Sequence, residues 1–289
     1  MSITSYIKRL IVYVLTGIPH KHVTPSITTL APNNYLKGRG AMITGGTSGI
    51  GFAIAKSFLQ SGASVVITGR NEERLHEACS RLDTDDYPGT VHGLIMDNAD
   101  VASFQGVFNQ ALNFLGDRPI SILVNNAGIL GANIATATEM EYDAVLNTNM
   151  KGAFFLSQLV GKYMKSNHIH GNILNIASSS SLRPAASAYT ITKWGIRGLT
   201  LGLAKCLIPH GIVVNGIAPG PTATPMLIQE SCSDIHLESS PMGRYSISEE
   251  IANMAVILTS DMGRSIVGDI VYMTGGAGLI TFDDMDYTF

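Results

Sequence analysis

The stretch AMITGGTSGIGFAIAKSFLQ, residues 41–60, joins a short apolar run to a helix-length segment through a glycine-rich turn. An ordinary strand-to-helix turn needs one glycine, whereas this turn has Gly45, Gly49 and Gly51. Glycine lets backbone amides approach a pyrophosphate, and the N-terminus of the following helix presents unpaired N–H groups with a partial positive charge. The stretch therefore predicts a strand, a turn and a helix that together bind phosphate through Gly45, Thr47, Ser48, Gly49, Ile50 and Gly51.

Apolar runs of strand length alternate with helix-length segments as far as residue 280. After the run at 41–44, they lie at residues 64–68, 91–96, 120–125, 172–177, 212–218 and 269–273. Strands separated by helices imply right-handed crossovers and a parallel sheet covered on both faces. No repeat or Pro/Ser-rich linker interrupts this pattern. We therefore predict one α/β domain over residues 39–289, built on a doubly wound parallel sheet.

An N-terminal arm, residues 1–38, precedes this domain. Apolar residues from Ile3 to Val14 recur at helical spacing, which predicts a short amphipathic helix that packs on its own domain or on a partner subunit. The apolar run at residues 10–15 is too short to span a bilayer, which needs about 20 apolar residues. A secretory signal or contact with a membrane surface are the alternatives, but no A-x-A cleavage site follows.

The composition excludes several classes of partner and site. The chain is 45% hydrophobic and 14% charged, so it can bury a large core. Its net charge of −3 and the lack of a basic cluster argue against binding to nucleic acid. Three cysteines at wide spacing predict neither a disulfide framework nor a zinc site, and they suit a reducing, cytoplasmic location. The pairs His20/His22 and His168/His170 lack further ligands at suitable spacing, so we expect no metal site. Because no apolar run is long enough to cross a bilayer, we also expect no integral membrane segment.

A second stretch, NILNIASSSSLRPAASAYTITK at residues 172–193, places reactive side chains together. Tyr189 and Lys193 are four residues apart in a predicted helix, so they share one face. A buried strand before them would deliver Ser178 at its carboxyl end, which is the edge where parallel sheets bind ligands. Alone, the Tyr/Lys pair would also fit an amphipathic helix with a half-buried Tyr and a solvated Lys.

The ordered set of motifs resembles the short-chain dehydrogenase/reductase family over residues 38–280. It comprises the glycine-rich turn, Asn125-Asn126-Ala127-Gly128, Asn149 within NTNMKG, Ser178, Tyr189-x-x-x-Lys193 and Pro219-Gly220. The resemblance implies a Rossmann-type sheet and hydride transfer between a nicotinamide and a small ketone or secondary alcohol. Ser178 and Tyr189 are 11 residues apart, a little closer than the family pattern. Which of Ser178 to Ser181 is catalytic therefore stays open, and we choose Ser178 because it lies two residues after Ile176.

The resemblance assigns roles to these residues. It makes Tyr189 the general acid/base, and Lys193 a cation that binds the nicotinamide ribose. An ammonium about 5 Å away would lower the phenol's pKa by about two at an effective dielectric of about 20. Ser178 would donate a hydrogen bond to the carbonyl oxygen. Asn149 would hold a water that relays protons to Lys193, or else make a buried structural hydrogen bond.

The resemblance also implies a cofactor site. Asn125 and Gly128 would form a turn against the adenosine ribose, Asp97 would bind the adenine, and Thr224 would bind the carboxamide. The remaining members of the predicted set are Asn98, Ala127, Pro219, Gly220 and Thr222. Gly69 stands where an NAD site usually has an acid, and Arg70 follows it, so we predict NADP in preference to NAD. Alternatively, Arg70 caps a turn or pairs with Glu72 or Glu73.

The substrate is less clearly indicated. Residues 226–244 have little regular patterning and fall where the family has its variable substrate loop, so we expect a lid. Leu130, Met226 and Leu227 suggest an apolar carbonyl compound. The alternatives are reduction of a 3-oxoacyl thioester, or a regulator that binds cofactor without turnover. Apolar residues on helix 187–207 and on the helix before it predict a homodimer or homotetramer.

Overall fold

A parallel sheet forms the centre of the molecule. The computed structural model describes residues 23–24, 33–224, 226 and 234–281. The strands of these residues are β1 (Gly40–Thr44), β2 (Ser64–Gly69), β3 (Val91–Ile95), β4 (Ile120–Asn125), β5 (Asn172–Ile176), β6 (Val213–Pro219), β7 (Thr222–Ala223), β8 (Ser246–Ile247) and β9 (Ile270–Met273). Seven of them pair in the order β3-β2-β1-β4-β5-β6-β9, all parallel, while β7 pairs with β8. The seven predicted strands are confirmed to within one residue at each end.

Helices cover both faces of the sheet. They are α1 (Gly49–Gln60), α2 (Glu72–Leu82), α3 (Phe104–Leu115), α4 (Glu139–Leu146), α5 (Gly152–Ser166), α6 (Ala188–Leu207) and α7 (Ser248–Thr259). One π-helical turn, Asn147–Lys151, joins α4 to α5. Short 3₁₀ turns occupy Val101–Ser103, Ser179–Leu182, Ile208–His210 and Asp261–Gly263.

Alternate residues along each strand enter opposite core layers. In β1, Ala41 and Ile43 pack with α1, α2 and α7, whereas Met42 packs with α3, α5 and α6. This alternation follows from the two-residue period of side chains along a strand. The predicted doubly wound α/β fold is therefore confirmed.

The strand order fixes where a ligand can bind. From β1 the chain winds outward through β2 and β3, then returns to pair β4 against the other side of β1. At such a switch point the loops after the two strands diverge and leave a crevice at their carboxyl ends. The glycine-rich turn follows β1, so it borders this crevice.

Most of the predicted N-terminal arm lies outside the described residues. Its last part packs on the end of α1: Leu36 is buried, and its N–H donates to the Ser61 carbonyl over 2.9 Å. Val23 contacts the predicted lid, because its N–H donates to Asp234 Oδ1 over 3.1 Å and its carbonyl accepts from the Ile235 N–H over 3.1 Å. In the part of the chain that the structure describes, no helix has the length and apolar character needed to cross a membrane.

Candidate active site

A cavity of about 830 Å³ lies over the carboxyl edge of the sheet. It is bordered by the loops after β1, β2, β3, β4, β5 and β6 and by the first turns of α6. The predicted site residues that line it are Gly45, Thr47, Ser48, Gly49, Ile50, Arg70, Asp97, Asn98, Ala127, Gly128, Ser178, Tyr189, Lys193, Pro219, Gly220, Thr222 and Thr224. One concave surface therefore brings together residues that are distant in sequence.

The glycine-rich turn forms a tight cradle at one side of the cavity. Gly45 and Gly49 have φ angles of +65° and +54°, which residues other than glycine rarely adopt. Gly51 does not line the cavity; a Cβ there would lie 2.3 Å from the Gly45 carbonyl oxygen, so Gly51 keeps the turn compact. Ser48 makes no side-chain cap on α1, and no acidic residue occupies its first turn. The α1 N-terminus therefore retains its positive field toward the cavity.

The loop after β4 is tied directly to this turn. Thr44 Oγ1 accepts from the N–H groups of Asn126 and Ala127, each over 3.0 Å. Asn126 Nδ2 donates to the carbonyls of Thr44 and Gly45, each over 2.9 Å. These bonds hold the two sides of the crevice at a fixed separation.

Asn125 does not occupy its predicted position against a ribose. Its side chain is buried beneath the cavity, where Nδ2 donates to Ser157 Oγ and to Asn175 Oδ1, each over 2.8 Å. Asn125 ends β4 and faces α5, while the next residue turns toward the cavity. This part of the prediction is wrong, and Asn126 is the amide that lines the crevice.

Tyr189, Lys193 and Ser178 converge in the middle of the cavity. Ser187 caps α6, its Oγ accepting from the Thr190 N–H over 3.2 Å, so Tyr189 lies in the first turn and Lys193 one turn later. Lys193 Nζ lies 5.4 Å from the Tyr189 ring centre and donates to the Ile176 carbonyl over 2.8 Å. Ser178 follows β5 and hydrogen-bonds the Tyr189 hydroxyl. The predicted juxtaposition of the three side chains is present.

Burial dominates the electrostatics of this group. It raises the pKa of Tyr189 above its usual value, and the hydrogen bond from Ser178 offsets part of that rise. Burial also lowers the pKa of Lys193 from 10.5 to about 8. The expectation that Lys193 lowers the phenol's pKa by about two is therefore wrong for this structure, where burial raises the pKa of Tyr189 instead. At neutral pH the phenol carries its proton and the amine is a cation.

Each serine of the run after β5 has a different partner. Ser178 Oγ donates to Ser180 Oγ over 3.2 Å and accepts from the Ser180 N–H over 3.1 Å. Ser179 Oγ accepts from buried Arg183 over 2.8 Å, and Ser181 Oγ donates to the Ser178 carbonyl over 2.8 Å. Ser178 is the member bonded to Tyr189, which supports its selection from the four.

Asn149 lies in the π-helical turn and does not line the cavity. Its Oδ1 accepts from the Ile129 N–H over 2.8 Å, and its Nδ2 donates to the Ile129 carbonyl over 2.9 Å. A weaker contact of 3.3 Å joins Nδ2 to Thr192 Oγ1 on α6. The side chain thus makes the buried structural bonds that were the alternative prediction, and it positions the loop from β4 relative to α6.

The far end of the cavity carries positive charge. Arg70 lines it, and so does Arg74, which sequence reasoning missed because it is one of several charged residues on α2. Among the described residues neither guanidinium forms an ion pair, so the predicted alternative of pairing with Glu72 or Glu73 is absent. Asn71, rather than Arg70, caps α2 by accepting from the Arg74 N–H.

Asp97 and Asn98 border the same end of the cavity. Asp97 is exposed, and its Oδ1 accepts from the Ala99 N–H over 2.9 Å. Asn98 is buried; its Nδ2 donates to the Thr148 carbonyl, while its Oδ1 has no partner among the described residues. An acceptor without a partner is costly when buried, and this oxygen has almost no exposed surface through which a ligand could reach it.

The described part of the predicted lid is a folded loop. Leu237, Ser239 and Tyr245 line the cavity opposite Leu130, together with Met226. The loop closes through a 2.8 Å contact between His236 Nδ1 and the Gly243 carbonyl, and Arg244 pairs with Glu250 of α7 over 2.7 Å. Leu227, named as a substrate neighbour, lies outside the described residues. Sequence reasoning missed Leu237 and Tyr245 because no periodicity marks them.

Comparison with known proteins gives a consistent set of relatives. The model of the short chain dehydrogenase family matches residues 39–233. The 3-oxoacyl-(acyl-carrier-protein) reductase of Aquifex aeolicus is 32% identical over 247 residues, covering 83% of this chain and 98% of the relative. The 3alpha-hydroxysteroid dehydrogenase of Mediterraneibacter gnavus is 34% identical over 248 residues, which cover 84% of this chain and 98% of the relative.

Solved structures agree with this match. The crystal structure of the 3-oxoacyl-(acyl-carrier protein) reductase from Brucella melitensis is 27% identical and has a TM-score of 0.79. The alignment covers 90% of this chain and 100% of that one. Sequence, fold and cavity thus point the same way: the chain belongs to the short-chain dehydrogenase/reductase family of oxidoreductases.

Proposed function

We propose that this protein interconverts a small, mainly apolar ketone and the corresponding secondary alcohol, with NADP as hydride carrier. The observation that carries the proposal is the Tyr189 hydroxyl, bonded to Ser178 and close to the buried Lys193 cation, inside the cavity that also contains the glycine cradle. A phosphate-binding turn and a proton-transfer group in one cavity fit a nucleotide-dependent oxidoreductase.

The residues around the cavity fit a nicotinamide dinucleotide. The turn at Gly45 and Gly49 and the α1 N-terminus would hold the pyrophosphate. Asp97 and Asn98, which line the cavity, would hold the adenine, and Thr222 and Thr224 would hold the nicotinamide carboxamide end. The bound nicotinamide supplies the hydride.

The preference for NADP rests on charge at the adenosine end. Two guanidiniums, Arg70 and Arg74, line this end and form no ion pair with another described residue, whereas Gly69 offers no carboxylate to repel a phosphate. Guanidinium groups bind phosphate oxygens through paired, charge-assisted hydrogen bonds. An acid at position 69 should reverse the preference.

That reversal needs a small adjustment of the turn. A Cβ at position 69 would lie 2.7 Å from Thr47 Cγ2, so Gly69→Asp is best combined with Thr47→Ser, with Thr47→Ser alone as control. We expect kcat/KM to favour NADP in the parent and the control and NAD in the double variant. A parent that prefers NAD would contradict the cofactor assignment.

The chain's own residues perform the proton chemistry. With its raised pKa, Tyr189 is protonated at neutral pH and can donate to a carbonyl oxygen as hydride arrives at carbon. Ser178 stabilises the negative charge on that oxygen by a hydrogen bond. Lys193, held at the Ile176 carbonyl, stabilises the phenolate left behind and can bind a ribose hydroxyl. Asn149 maintains the loop and helix around them.

The substrate end of the cavity is mainly apolar. Leu130, Met226, Leu237 and Tyr245 border it and would exclude water around the reacting carbonyl. A 3-oxoacyl thioester is the second candidate, because reductases of that substrate are among the relatives.

The protein would work as a homodimer or homotetramer. Large apolar side chains are exposed on two neighbouring helices: Phe154 and Phe155 on α5, and Trp194 and Leu201 on α6. Free thiols at Cys79 and Cys206 suit a cytoplasmic location.

A panel of ketones, steroid alcohols, sugar-derived alcohols and 3-oxoacyl thioesters, followed by cofactor absorbance, tests the proposal. We expect turnover with compact apolar ketones, while a preference for thioesters would select the second candidate. Tight cofactor binding without turnover across the panel would contradict catalysis and support a regulator that binds cofactor.

A further inference from the structure

A buried chain of hydrogen bonds runs beneath the cavity from α6 to β5 and β4. Asn175 Nδ2 donates to Thr200 Oγ1 over 2.9 Å, and Asn175 Oδ1 accepts from Asn125 Nδ2 over 2.8 Å. Thr200 Oγ1 in turn donates to the Ile196 carbonyl over 2.8 Å. Asn175 and Thr200 are fully buried. Each of their polar atoms therefore depends on its protein partner, because water cannot replace that partner.

The bond between Asn175 and Thr200 is a second polar attachment of α6 to β5. The first is the bond from Lys193 Nζ to the Ile176 carbonyl, one residue farther along the same strand. Lys193 and Thr200 are seven residues apart on α6, which corresponds to about two turns and about 10 Å of helix. Attachments at two separate points fix both the position of the helix along the strand and its tilt.

The helix approaches the sheet closely at Thr200. A Cβ on Gly216 of β6 would lie 3.2 Å from the Asn175 carbonyl oxygen, 3.7 Å from Thr200 Oγ1 and 2.5 Å from Ile270 Cδ1. The glycine thus leaves room for the threonine against the sheet. In a layer packed this tightly, a polar group that loses its partner can move only if its neighbours move with it.

The position of α6 sets the geometry of the proposed reaction. This helix carries Tyr189 and Lys193, whereas Ser178 follows β5. The hydrogen bond between Ser178 and Tyr189 therefore depends on how α6 lies along β5. A displacement of about 1 Å between groups that act together can lower a rate by about 100-fold.

We propose that Thr200 is a positioning residue: by accepting from Asn175, it holds α6 against β5 where Tyr189 and Lys193 meet Ser178. The inference rests on the proposed oxidoreductase function. Thr200 does not line the cavity, so it acts through α6 and not by touching substrate or cofactor.

Replacing the hydroxyl of Thr200 tests this role. Thr200→Val keeps the branched shape but leaves the Asn175 amide without its acceptor, so kcat should fall about fivefold to tenfold, the scale of one neutral hydrogen bond. Thr200→Ser keeps the hydroxyl and should retain most of the parent's kcat. The Ser178 hydrogen bond lowers the pKa of Tyr189, so weakening it in Thr200→Val should move the alkaline increase of alcohol oxidation to higher pH.

Thr259→Val is the matched control for loss of a buried threonine hydroxyl. Thr259 is buried at the end of α7, and its Oγ1 donates to the Ala255 carbonyl over 2.7 Å, the same type of bond within a helix that Thr200 makes. Because α7 carries no residue of the proton-transfer group, this variant should keep the parent's kcat and pH profile.

A double-mutant cycle identifies the partner through which Thr200 acts. In an Asn175→Leu background, Thr200→Val should cause no further loss of kcat, because the donor to Thr200 is absent. Urea denaturation of each variant checks that the protein is folded under the assay conditions.

The outcomes separate this role from the proposed function. An inactive parent on the whole substrate panel would overturn the proposed function and this role with it. An active parent would overturn the role of Thr200 alone if Thr200→Val kept full kcat, matched Thr259→Val in both readouts, or lost the same factor with and without Asn175.

Discussion

Replacing Lys193 with Met should make the protein more stable while removing its activity. Lys193 is only 6% exposed, and burial lowers its pKa from 10.5 to about 8. A pKa change of one corresponds to about 1.4 kcal/mol, so keeping this amine charged in the fold costs about 3 kcal/mol. Met removes that cost but loses the bond to the Ile176 carbonyl, which contributes about 1 kcal/mol. The variant should therefore gain about 1–2 kcal/mol in free energy of unfolding at neutral pH.

The pH dependence of this gain identifies its cause. The pKa of Lys193 is lower in the folded than in the unfolded chain, so between about 8 and 10.5 the unfolded chain binds more protons. The parent's stability therefore rises with pH across this window, whereas below pH 8 the amine contributes no slope. The Met variant lacks the group, so its advantage should be greatest below pH 8 and should become a deficit of about 1–2 kcal/mol by pH 10.5, a total change of about 3 kcal/mol.

Urea denaturation of both proteins across this pH range provides the measurement, with turnover measured in parallel. Lys205→Met is the matched control, because Lys205 is exposed on the same helix. It should follow the parent at every pH. A difference between the Lys193 variant and the parent that stays constant with pH would refute the assignment of the cost to a buried cation.

Three further predictions address cofactor, proton and lid. Arg70→Ala should weaken NADP binding by about 2 kcal/mol, the scale of a charge-assisted hydrogen bond, with little change for NAD; equal losses in calorimetry would contradict it. Because the pKa of Tyr189 is raised, kcat for carbonyl reduction should be flat around neutral pH, and kcat for alcohol oxidation should increase as the solution becomes alkaline. Profiles with the opposite slopes would contradict the acid/base role. Deleting residues 1–24 removes the Val23 bonds to Asp234 and Ile235, so the substrate KM should rise while the cofactor Kd is unchanged; an unaltered KM would show that this contact does not hold the loop.

The fold could be predicted because its determinants are local. Period-two burial within strands such as β1 and the turn at Gly45 follow from side-chain geometry and backbone sterics over a few residues. The pair β7–β8 could not be predicted, because two residues carry no period.

The site could be predicted as a set of residues, but the orientation of its side chains could not. Adjacent residues at a strand end point in different directions, so Asn125 enters the core while Asn126 lines the cavity. The pKa of Tyr189 depends on how much water surrounds the phenol, which sequence spacing does not encode. Leu237 and Tyr245 reach the cavity through a loop whose path is set by tertiary contacts such as Arg244–Glu250.

Tyr189→Phe tests most directly whether Tyr189 transfers the proton in a hydride-transfer reaction. The variant keeps the ring that contacts Lys193 and loses only the hydroxyl bonded to Ser178. Measured together, kcat should fall about 100-fold or more, while the cofactor Kd changes little. A variant that keeps half of the parent's kcat would contradict the claim.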